Sequence, residues 1–185
     1  VVGAEREVRG GAVETLRRCR PVVVIEENRG YSQIMNMQNS NSYIHALARR
    51  GVLFTQSYGI THPSQPNYLA LFSGSTQGVT SNACPHIFNG DNLASSLLGK
   101  GLSFASYSES LPAVGDLSCS SGAYQLKHNP VANWQGTNLP AGLNRRFANF
   151  PMDFTKLPTV SFVIPICSAA WPMWITMLLT GHPAL

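Results

Sequence analysis

The chain has 185 residues, 44% of them hydrophobic and 12% charged, which suits a single domain with its own core and excludes a disordered or low-complexity chain. Its formal net charge of +4 comes largely from Arg6, Arg9, Arg17, Arg18 and Arg20, with no aromatic interleaving or basic stripe, so nucleic acid is not an expected partner. No apolar run reaches the ~20 residues of a membrane-spanning helix.

In chain order, residues 1–20 read as a basic extension, helix-compatible around residues 12–18 and without a clear partner face. They lack the apolar core of a signal peptide. Val22-Val23-Val24-Ile25 is a continuous β-branched run, the pattern of a strand buried on both faces of a parallel sheet. It ends in Glu26-Glu27-Asn28, at the strand end where open α/β sheets place their ligands. Between Tyr31 and Arg50 the pattern becomes helical in its second half, closing at Gly51, and Val52-Leu53-Phe54-Thr55 is the next expected strand.

The stretch Thr61-His62-Pro63-Ser64-Gln65-Pro66-Asn67-Tyr68 follows. Its prolines, and the extended geometry they favour in the residues before them, predict a stiff loop carrying Ser64, with a helix only from Tyr68 to Phe72. A hydroxyl presented at a helix start suits attack on phosphorus, because N–H groups and the helix dipole favour phosphate oxygens. Residues 92–98 read as a helix. Ser103 to Ser108 reads as a strand delivering Glu109, which has no assigned role. Residues 111–157 are mostly irregular, with Lys127-His128-Asn129-Pro130 the one chemically dense spot, and Thr159 to Pro165 is the last clear strand. Strands alternating with helices predict an α/β fold in three layers, with a mostly parallel sheet.

The cysteines Cys19, Cys84, Cys119 and Cys167 allow three full pairings, and none has a Cys-x-x-Cys spacing. Cys84 and Cys119 both lie in loop-like sequence, so one bridge between them is expected, which would imply an exported protein. Ser73-Gly74-Ser75-Thr76-Gln77-Gly78 lacks the Gly-x-Ser-x-Gly elbow, so a serine-hydrolase triad is not expected.

Taken together, Val22 to Gln33 (VVVIEENRGYSQ), Thr61 to Gly78 (THPSQPNYLALFSGSTQG), Lys127 to Pro130 (KHNP) and Phe150 to Pro165 (FPMDFTKLPTVSFVIP) closely resemble the phosphoesterase family. That family holds bacterial and fungal acid phosphatases and phospholipases C within the alkaline-phosphatase-like superfamily. The resemblance covers residues 21–165 and implies an alkaline-phosphatase-like sandwich. It also implies hydrolysis of a small phosphate ester or a phospholipid through a phosphoserine intermediate, and a secreted or periplasmic location. By this resemblance Glu27 and Asn28 match metal ligands, Ser64 matches the nucleophile that also touches the metal, and Asn67 matches an amide that contacts phosphate. His62 and His128 fall in motifs facing the site. The implied cofactor is a divalent metal ion, with Mg²⁺, Ca²⁺, Mn²⁺ and Zn²⁺ all open, and the oligomeric state is not legible.

After Ile164-Pro165 the sequence departs from the family pattern, in which an Asn, a His-bearing loop and a later acidic strand end complete the metal site. Residues 166–185 read instead as an atypical tail. Taking codons from their third base, Trp171-Pro172 gives Ala, Met173-Trp174 gives Val and Trp174-Ile175 gives Asp, so out-of-frame translation of a family gene is one expectation. The fold would then be truncated at its C-terminus and its metal site crippled. The alternative function is a non-catalytic remnant of the same fold.

Overall fold

The computed structural model describes residues 14–26, 32, 35, 43–166 and 175–179, with Glu26, Tyr43, Ile44 and residues 175–179 described by backbone alone. In chain order the strands are β1 (Val22–Glu26), β2 (Phe104–Ser108), β3 (Ser120–Ser121), β4 (Tyr124–Gln125), β5 (Asn144–Arg146), β6 (Val160–Ile164) and β7 (Ile175–Leu179). The helices are α1 (Tyr43–Arg50), α2 (Ser64–Ser73) and α3 (Leu93–Leu98). The main sheet runs β5-β2-β6-β1-β7, and β3 pairs with β4 in a separate hairpin. β5, β2, β6 and β1 are parallel, with Ser106 opposite Phe162 and Val24 opposite Val163. β7 is antiparallel to β1 and takes its outer edge.

The β-branched composition of β1 and β6 follows from this placement, because a central parallel strand is covered on both faces. Phe104 and Phe162 point to one face, where the Phe72 ring of α2 meets them edge-on or tilted at 5.8 and 6.0 Å and meets Trp134 at 5.4 Å. Val23, Ile25 and Leu69 join this main core. On the opposite face Val22 and Val163 pack with Leu157 and Phe150, and the Phe150 ring stands edge-on to Tyr107 at 5.1 Å. Short 3₁₀ turns supply that covering, among them Phe147–Asn149 and Phe154–Lys156.

Helix α2 begins four residues earlier than its prolines predict. Pro63 occupies the N-cap with φ −80° and ψ −159°, and Pro66 falls in the first turn, where an N–H has no acceptor within the helix in any case, so the missing donor costs nothing. The Gln65 N–H is capped from a distance by Asn82 Oδ1 at 3.0 Å. At the other end Gly74, φ 73°, returns its N–H to the Ala70 carbonyl, the left-handed cap that glycine adopts without strain.

The strand expected at residues 52–55 does not form: the segment is coil, with Val52 82% and Phe54 75% exposed. Its residues have the side chains of a strand, but β5 and β7 occupy the two edges of the sheet and no described strand offers it a ladder. Residues 14–20 are better tied down than their composition predicts. Residues 14–19 are helical, Leu16 packs against the main core, and the Arg20 guanidinium donates to the carbonyls of Thr155 and Leu157. Among the described residues no helix is long and apolar enough to cross a membrane.

Candidate active site

Ser64 is the first residue of α2 and is half-buried. Helix and sheet together fix which edge it serves. Phe72, near the C-terminal end of α2, packs against Phe104 at the start of β2 and Phe162 in the middle of β6; with the usual crossover geometry, in which a helix joining parallel strands returns antiparallel to them, the N-terminus of α2 lies toward their carboxyl ends. The tip of β1 at Glu26 lies at the same edge, because β1 is parallel to β2 and β6. Glu27 and Asn28, the expected metal ligands, lie outside the described residues.

The loop before Ser64 is held by Asn67. Its Nδ2 donates to the carbonyls of Thr61 at 2.7 Å and Pro63 at 3.0 Å, and its Oδ1 accepts the Thr61 N–H at 3.2 Å. Both amide hydrogens are thus committed to backbone, and a phosphate oxygen would have to replace one of these bonds. The clamp also constrains Gly59, where an added Cβ would sit 3.1 Å from Asn67 Oδ1, closer than ordinary packing allows. His62 is exposed on the clamped loop.

His128 closes a 3₁₀ turn, Leu126–His128, and is buried. Its ring lies 5.4 Å from that of Tyr68, and Tyr68 is one helical turn beyond Ser64 on the same face of α2. His128 is therefore brought to the Ser64 side of the helix, one turn in from the end. Behind it a buried amide network holds the turn. Asn129 Nδ2 donates to Tyr124 Oη at 3.1 Å and to Asn144 Oδ1 at 2.8 Å; Asn144 Nδ2 donates to the Asp116 carbonyl at 3.1 Å and to Gln135 Oε1 at 3.2 Å. Burial pushes the Tyr124 hydroxyl up to about 12, with the Asn129 bond opposing and Asp116 adding to the rise, so this phenol stays protonated.

Sequence reasoning left Glu109 without a role, and the structure gives it one. Its N–H donates to the Ile164 carbonyl at 2.9 Å, and its carboxylate accepts the Ile166 N–H at 3.0 Å. The side chain therefore ties the end of β2 to the chain leaving β6, at the edge that Ser64 serves. A carboxylate directly after a buried strand was the available signal. Cys84 and Cys119 are bonded, their Cα atoms 5.8 Å apart and 35 residues apart in sequence. Leu126 N–H donates to the Cys119 carbonyl at 3.0 Å, so the bridge anchors the segment leading to His128.

Among the described residues no group of three or more His, Cys, Asp or Glu side chains is placed to hold a metal ion. The expected donors are a carboxylate, an amide and a hydroxyl, all oxygen, which fits Mg²⁺, Ca²⁺ or Mn²⁺ in kind and does not favour zinc.

The Phosphoesterase family matches residues 34–184 of the chain, running past Pro165 where the resemblance drawn from the sequence ends. Over 169 residues the chain is 44% identical to the phosphatidylinositol-3-phosphatase of Mycobacterium tuberculosis, covering 89% of this chain and 55% of that protein. It is 30% identical over 132 residues to an acid phosphatase of Aspergillus fumigatus, covering 64% of this chain and 30% of that protein. With the phosphate-repressible acid phosphatase of Penicillium chrysogenum the identity is 31% over 131 residues, covering 64% and 32%. The chain thus spans about half the length of the mycobacterial relative and about a third of each fungal one. No solved structure matches it.

Proposed function

The chain belongs to the phosphoesterase family, and from that premise we propose that it hydrolyses phosphate esters with the Ser64 Oγ as nucleophile. The observation that carries this reading is the position of Ser64 as first residue of α2, half-buried, at the carboxyl edge of a parallel sheet. Pro66 has no N–H and that of Gln65 is taken by Asn82, so the Ser64 N–H is the first-turn donor directed out of the helix end. A phosphoryl oxygen drawn there by this N–H and the helix dipole leaves phosphorus within reach of the same residue's hydroxyl.

In the first step Ser64 Oγ loses its proton and bonds to phosphorus as the ester P–O bond breaks; the departing alkoxide takes up a proton. In the second, water attacks phosphorus, the P–Oγ bond breaks, and Ser64 is protonated again. Glu27, Asn28 and Ser64 would hold the divalent cation, which when bound lowers the pKa of the hydroxyl and offsets phosphoryl charge. His128, on the Ser64 side of α2, and His62, on the clamped loop, are the candidates for contact with the phosphoryl or leaving group. The substrate class is a phosphate monoester or a phospholipid, in keeping with the names of the mycobacterial and fungal relatives.

A water-soluble aryl phosphate assayed with Mg²⁺, Mn²⁺, Ca²⁺ or Zn²⁺ tests the reading. Turnover is expected to need one of these ions and to fall on the order of 10³-fold or more in Ser64→Ala. Turnover that survives the substitution would remove Ser64 as the nucleophile. No turnover with any ion would leave the non-catalytic remnant as the better reading.

A further inference from the structure

Gln65 stands next to the proposed nucleophile and is fully buried, yet among the described residues neither Oε1 nor Nε2 has a hydrogen-bond partner. A buried amide without partners is destabilising, and such groups are rare enough in folded proteins that each needs a reason. On α2, Gln65 shares a face with Leu69 and Phe72, the face laid on the sheet. Counting seven residues back from Phe72 moves about 10 Å along the helix, or about three residues along a strand. Phe72 lies between Phe104 and Phe162, about level with the Ala105 and Ser161 pair, so the step brings Gln65 about level with Ser108 and Ile164, which are opposite each other at the carboxyl ends of β2 and β6. Ser108 and Ser106 lie on the same sheet face as Phe104; both are fully buried, and their hydroxyls also have no hydrogen-bond partner among the described residues. The layer beneath the first turn of α2 is thus polar and unsatisfied, whereas the layer beneath Phe72 is aromatic and closed.

We propose that Gln65 is a positioning residue for the Ser64 site, its carboxamide reserved for a hydrogen bond made only when the site is loaded, which then fixes the first turn of α2 and with it the Ser64 Oγ. This rests on the phosphoesterase reading, and the partner arrives with the phosphate group and its divalent cation. Carrying no bond in the empty protein, the amide costs stability there. Carrying one in the loaded protein, it adds to ligand affinity and to the chemical step.

The test uses the full chain and two apolar replacements of similar size, Gln65→Met and Gln65→Leu, with inorganic phosphate and Mg²⁺ or Mn²⁺ as probes. Without ligand, the thermal midpoints of both variants are expected to equal or exceed that of the parent. With phosphate and cation, the apparent affinity read from the midpoint shift is expected to fall about tenfold, and kcat on the aryl phosphate to fall more than KM rises. A clear drop in the ligand-free midpoint of both variants overturns the proposal, because it would show that the amide already has structural partners. An unchanged ligand shift in the variants, with the parent active, overturns the Gln65 role and leaves the phosphoesterase reading intact. A parent that shows neither ligand shift nor turnover removes both.

Discussion

The Tyr124 phenol lies in a buried cluster with Leu111, Leu126 and Ala132, where its oxygen accepts from Asn129. Its pKa is raised from 10.0 to about 12, first by burial. The folded value lies above the unfolded one, so the stabilisation is complete below pH 10 and is lost as pH climbs from 10 toward 12, when the unfolded chain ionises and the folded one does not. Two pKa units correspond to about 2–3 kcal/mol at the alkaline limit. Tyr107 contributes to the same loss, since burial raises it too, against the opposing charge of Arg145. Tyr124→Phe is therefore expected to flatten, without abolishing, the fall in stability between pH 9 and 12. Denaturant unfolding at fixed pH values across that range checks it; parallel curves for parent and variant would show that the hydroxyl is not held protonated by the fold. At the same scale Gly59 and Asn67 pack closely, because a Cβ added at Gly59 would sit 3.1 Å from Asn67 Oδ1 and the clamp on Thr61 and Pro63 would have to give by a few tenths of an ångström.

Among the elements, α2 has two duties that its two ends divide. The Phe72 end is held by rings of Phe104, Trp134 and Phe162, and the Ser64 end carries Gln65, whose buried amide has no hydrogen-bond partner among the described residues. Phe72→Ala should cost about 3–5 kcal/mol, the range for deleting a fully packed phenylalanine. The measurement is chemical denaturation at neutral pH, where a loss under 1 kcal/mol would mean that the ring is not the anchor of the helix. Such a loss of anchoring is also expected to lower activity, although Phe72 lies two turns from the nucleophile, because the helix end positions Ser64. The 3₁₀ turn bearing His128 is fixed by the Asn129 to Asn144 network together with the burial of Leu126 beside Leu111, Tyr124 and Ala132.

For the whole molecule, the bond between Cys84 and Cys119 closes a loop of 35 residues around α3 and β2. Constraining the unfolded chain over such a loop contributes about 2–4 kcal/mol. Reduction, or Cys84→Ser with Cys119→Ser, should lower the thermal midpoint by several degrees and loosen the His128 turn, which hangs from Cys119 through Leu126. An unchanged midpoint after full reduction would mean that the bridge adds nothing to the fold.

The sequence by itself determined the strands β1, β2 and β6 and the α/β class: β1 and β6 show as short apolar runs, because a central parallel strand is covered on both faces, and β2 shows by its alternation. It also marked the stretch around Ser64 and the pair Cys84 and Cys119, since prolines, a hydroxyl and cysteines are chemically distinctive wherever they fall. Tertiary structure alone decided the rest. Asn144-Arg145-Arg146 has no strand signal and became β5 through pairing with β2, while Val52 to Phe54 has that signal and found no edge. The start of α2 moved to Ser64 because a cap supplied by Asn82, 17 residues away in sequence from Gln65, overrode what the local prolines favour. His128 reached Tyr68, and Glu109 reached Ile166, across 60 and 57 residues. Periodicity reports which face of an element is buried, but the partner on that face is chosen by contacts distant in sequence, and no local pattern encodes them.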